Sequence, residues 1–104
     1  MTPNPQRGEV ALVIDGEVRL MRLTLGALAG LEARLETGSL VALAERFETG
    51  EVSAAELIAL LTAGLNGAGG SWTEAEVAGA EIEGGPVAAL RAGLALMAAS
   101  FRVP

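Results

Sequence analysis

The chain has 104 residues, 51% of them hydrophobic, and carries a formal net charge of −6 with a pI near 4.5. That length reads as one domain with an aliphatic core, since the aromatic residues are one Trp and two Phe. It has no His, no Cys and no Lys, and Asp15 is its single Asp, which removes the usual neutral-pH base, thiolate nucleophile, Schiff-base amine and common zinc ligands and points away from an enzyme.

Residues 1–7, with Pro3 and Pro5, read as a flexible arm ahead of a single domain over 8–104. A β-hairpin is predicted over 8–23. Val10 to Ile14 is short, apolar and partly β-branched. Asp15-Gly16 then suits a two-residue type I′ turn, and Glu17 to Leu23 alternates. This register sets Ile14 opposite Glu17, Val13 opposite Val18, Ala11 opposite Leu20 and Glu9 opposite Arg22. Because Glu17 and Arg19 share a face with Val10, Leu12, Ile14 and Met21, that face is assigned outward. The Ala11–Val13–Val18–Leu20 face is assigned to the helices.

The remainder, 24–104, reads as about five short helices, giving an α+β, mostly α, class. Thr24 caps a helix expected to run to Glu36 with Gly38 behind it and Leu25, Leu28, Leu31 and Leu35 on one face. Ser39 caps a second, to Thr49 and Gly50, with Leu40, Leu43, Ala44 and Phe47 as its apolar stripe. Ser53-Ala54-Ala55-Glu56 and Thr73-Glu74-Ala75-Glu76 are capping boxes. Val52 with Leu57, and Trp72 with Val77, are placed as hydrophobic staples. The helices they open are expected to end near Leu65 and Ile82, and Gly67 to Ser71 reads as a plain connector. Pro86 opens a last helix to about Phe101 in which Arg91 is the only charge. That segment is too short for a membrane span, and its nearly unbroken apolar surface suggests a role in both core and interface.

The glycine loop lacks the Lys and spacing of a phosphate-binding loop. Glu74, Glu76, Glu81 and Glu83 lack the ligand pattern of a calcium loop. The acidic balance and scattered Arg residues argue against nucleic acid. No cofactor or metal is therefore expected. The first seven residues carry no leader-like apolar run, so a cytoplasmic location in a bacterial cell is expected, with association to a particle as the further option. The predicted work is protein binding. The expected contact residues are the outward hairpin side chains Leu12, Ile14 and Met21 and the last-helix side chains Leu94, Met97 and Phe101. The unpaired hairpin edge is a route to a homo-oligomer.

The run Arg7-Gly8-Glu9-Val10, then Leu23-Thr24-Leu25-Gly26-Ala27-Leu28-Ala29-Gly30-Leu31-Glu32, then Leu43-Ala44-Glu45-Arg46-Phe47 before a glycine-rich break, resembles a family of small gene-transfer-agent and phage tail proteins. That family occurs beside tail genes in alphaproteobacteria and their prophages and is labelled tail tube protein or tail assembly chaperone. The resemblance covers residues 7–66 and carries over no catalytic residue. It implies a role in building a phage-like tail, with tape-measure and tail tube proteins as partners. A tube wall needs large sheets, whereas this chain predicts one hairpin, so a tail assembly chaperone is the expected reading. A structural component of the finished particle is the alternative.

Overall fold

The computed structural model describes residues 8–35 and 39–100. Strands β1 (Val10–Ile14) and β2 (Glu17–Met21) form an antiparallel pair, followed by α1 (Leu25–Arg34), α2 (Leu40–Thr49), α3 (Ala54–Gly67), α4 (Glu74–Gly79) and α5 (Gly85–Ser100). The class is α+β, mostly α, with an N-terminal hairpin and five helices among the described residues. The expected arm at 1–7, and Glu36, Gly38 and Phe101, lie outside those residues.

The hairpin has the expected register, Ile14↔Glu17 through Ala11↔Leu20. Asp15 and Gly16 take φ of 51° and 80°, the two positive values that a type I′ turn requires. Its facing is the reverse of the expectation. Leu12, Ile14 and Met21 are buried against the helices, while Val18 on the other face is 44% exposed. The misleading charges, Glu17 and Arg19, sit at the exposed tip and pair with each other at 2.8 Å. Besides those charges that face carries Val10, Leu12, Ile14 and Met21, against Ala11, Val13, Val18 and Leu20 on the other. Burying it removes more apolar surface from water.

Each helix from α1 to α4 starts where a hydroxyl can cap it. Thr24, Ser39, Ser53 and Thr73 accept from the amides of Ala27, Ala42, Glu56 and Glu76, and both capping boxes are closed by their Glu side chains. Gly50, at φ 76°, ends α2, and the Glu51 amide donates to Arg46 O at 2.8 Å behind it. Two helices end early. α1 stops at Arg34, and Leu35 turns extended and drops into the core. Leu25 is 86% exposed because it lies about a quarter-turn round the helix from the Leu28–Leu31–Leu35 stripe. α4 stops at Gly79 because Glu81–Glu83 run along β1 instead. The Asp15 amide donates to Glu81 O (2.8 Å), the Glu83 amide to Val13 O (3.1 Å), and Ile82 bridges to Ile14.

The helix at the centre is α3, which packs on α1, β2, α4 and α5 and buries six consecutive or near-consecutive residues from Ala59 to Leu65. Its glycines permit that. A Cβ on Gly64 would stand 2.6 Å from Leu96 Cδ2 and 3.1 Å from Met21 Cβ, and one on Gly67 would overlap the carbonyl of Arg22. The Arg22 amide donates to Gly64 O at 2.8 Å, locking the end of β2 onto the helix. Gly67 is therefore part of the core, not of the connector. The loop behind it is fastened, too, because Asn66 exchanges two hydrogen bonds with the Trp72 backbone (2.9 and 2.7 Å).

Candidate protein-binding surface

An apolar depression lies between α2 and α5. Amphipathic α2 turns Leu43 and Phe47 into the core and holds Leu40 and Ala44 half-buried, which leaves Val41 68% exposed. On α5, Ala89, Ala92, Gly93, Leu96 and Met97 are buried, and Leu94 is 38% exposed. The two helices meet where Phe47 reaches Gly93, whose Cβ would stand 2.9 Å from Phe47 and also from Leu57 of α3. Beside that contact lies a groove of about 330 Å³. Among the described residues it is lined by Leu40, Val41, Ala44, Phe47, Leu94, Met97 and Ala98, with Glu48 as the one charged residue. A groove so lined gains by excluding water. It suits an apolar side chain from another polypeptide.

The position of α2 is set by a polar clamp on its far side. Arg46 reaches from α2 to Glu56 at 2.7 Å, and the same carboxylate accepts from the Ser53 amide at 2.9 Å. Burial works against the Glu56 charge. The Ser53 backbone and side-chain hydrogen bonds and the Arg46 guanidinium outweigh it and hold the carboxyl below its ordinary value. The clamp fixes the α2–α3 turn, and with it the α2 wall of the groove.

A second cleft of about 370 Å³ lies between α1 and α3 and is more polar. Its polar groups already have partners. Arg34 holds Glu74 through two bonds (3.0 and 3.1 Å), Thr62 donates to Ile58 O (2.7 Å), and Thr24 and Asn66 serve as cap and loop clip. Nothing there is aimed at a ligand. The acidic residues late in the chain do local work: Glu74 in that ion pair, Glu76 in a capping box, and Glu81 and Glu83 through backbone bonds to the hairpin. Among the described residues no three acidic side chains converge where a metal ion could be held, and no helix is long and apolar enough to cross a membrane.

Of the residues expected at an interface, Leu94 and Met97 are brought together in the groove. Leu12, Ile14 and Met21 are core residues, so their assignment to an outer face is corrected. Phe101 lies outside the described residues. Sequence reasoning missed the opposite wall. The available signal was Val41, a β-branched residue just off the apolar stripe of an otherwise amphipathic helix.

Comparison with family models matches residues 7–103 to the family described as phage tail tube protein, GTA-gp10. The chain belongs to that family. Membership extends the resemblance past the glycine loop to nearly the whole chain and brings with it a structural role in a phage-like tail, in a family that is in general non-enzymatic. The description names a tail tube protein, not an assembly chaperone, and so favours a structural component over the chaperone expected from the element content. No curated protein and no solved structure matches the chain.

Proposed function

We propose that this chain is a structural component of a gene-transfer-agent tail and joins the particle by seating an apolar side chain of a neighbouring tail protein between α2 and α5. The observation that supports this is the groove itself, whose lips, Val41 and Leu94, are large apolar residues left in solvent. Exposed apolar surface of this kind marks an interaction site more often than a solvated face. The family description supplies the tail context. The hypothesis is tested by quantitative mass spectrometry of purified particles. A structural component is retained at fixed stoichiometry with the other tail proteins.

A second reading has an observation of its own. Among the described residues the only sheet is two-stranded, and part of its β1 edge is occupied by Glu81–Glu83. That is little sheet from which to build a tube wall. It favours a transient, largely helical chaperone in the host cytoplasm for tape-measure and tail tube proteins. The same measurement separates the two, since a chaperone is depleted from finished particles while co-purifying with tape-measure protein from the producing cell.

A further inference from the structure

We propose that two copies of the chain pair through the outer edge of β2, antiparallel and centred on Val18, so that Glu17 of each copy faces Arg19 of the other. A two-residue hairpin makes Ile14 and Glu17 the hydrogen-bonded pair at its end, so the backbone groups of Val18 and Leu20 point away from β1. Among the described residues, no hydrogen bond from another part of the protomer reaches them. The opposite edge differs, because Glu81–Glu83 occupy β1 around Val13 and Asp15. A sheet with one open edge and one obstructed edge closes after a single pairing, by twofold symmetry, instead of growing head to tail.

The register follows from exposure and charge. Residues Asp15 to Arg19 are all exposed, whereas the Arg22 amide is already given to Gly64 O. Pairing centred on Val18 uses residues 16–20 of each copy. Val18 then exchanges two backbone hydrogen bonds with Val18 of the second copy. Glu17 lies opposite Arg19, twice. Centring on Arg19 would set guanidinium against guanidinium, which is unfavourable directly across a sheet. The groups are already in position. Glu17 and Arg19 lie 2.8 Å apart on one face of β2, with the Arg19 guanidinium 5.9 Å from the Trp72 ring. Five paired residues a side is a small interface, so the dimer is weak and concentration-dependent. The inference rests on the hairpin alone and is independent of the α2–α5 groove and of the tail role.

Sedimentation equilibrium of the full chain over a dilution series tests it. The expected mass rises from one copy to two with concentration. Glu17→Arg and Arg19→Glu, each alone, weaken association by about tenfold or more, because two attractive contacts become repulsive. An equimolar mixture of those two variants restores it, since every facing pair is then opposite in charge. Val18→Pro, whose lost amide hydrogen points away from β1, abolishes the dimer while the far-UV spectrum is kept. The proposal is overturned by a one-copy mass at all concentrations, by association indifferent to either reversal, or by a mixture no tighter than the single variants. Loss of the dimer in Leu94→Glu would equally overturn it, by moving the interface to the groove.

Discussion

The two sides of α5 are built from the same residue types and end in opposite states. Toward α3 and the hairpin, Ala89 and Leu96 are buried, and Gly64 brings the helices close enough for Leu96 to fill the gap. Toward α2, contact is made around Gly93 and then lost, and Leu94 and Ala98 are left on an open groove. Hydrophobicity along α5 does not distinguish the two sides. Closure depends on whether the facing helix offers small residues where the backbones must approach. α3 does so with Gly64. α2 offers no glycine there and presents Val41 and Glu48 to the groove.

That contrast predicts large effects on one side and small ones on the other. Leu96→Ala removes a fully buried side chain from the closed side and should cost about 3 kcal/mol in urea unfolding. Gly67→Ala adds one methyl group against the Arg22 carbonyl, which cannot move without pulling β2 off α3. About 2 kcal/mol is expected, with the loss largely absent in a control such as Gly30→Ala, where a Cβ meets nothing. Glu56→Gln weakens the clamp behind α2 and should cost about 1 kcal/mol at neutral pH.

The same carboxylate gives a pH signature. Its folded pKa lies below its unfolded value, so the unfolded chain binds more protons near that range. The Glu56 contribution is therefore complete above the ordinary carboxyl value and is lost as pH falls through the folded pKa. Stability measured between neutral and acid pH should fall less steeply in Glu56→Gln than in the parent. On the open side, Val41→Glu should change stability by less than about 0.5 kcal/mol, since Val41 is mostly in solvent.

What could be read from the sequence was whatever is decided within a few residues. The Asp15-Gly16 turn fixes the hairpin register, and four hydroxyl caps fix four helix starts. What needed the third dimension was misread or missed. Alternation in β1 and β2 defines two faces but not which one meets the helices, and two tip charges tipped the assignment the wrong way. Glu81–Glu83 looked like the end of a helix because their partners, Val13 and Asp15, are more than sixty residues away. Gly64 and Gly93 gave no signal, since a helical glycine reveals its purpose only through what a Cβ would strike. The groove was half legible. Leu94 and Met97 stood out on a nearly uncharged helix, but Val41 is recognisable only once it is seen to line the groove with them.

The central claim is that the open side of α5 is left open for another tail protein. The most direct test is the amount of Leu94→Glu chain in particles purified from cells that make it in place of the parent. Solubility and unfolding midpoint of the isolated variant should match the parent. The account predicts that this folded variant is missing from the particles, or that tails fail to form. Its incorporation at parental stoichiometry into normal tails would contradict the account.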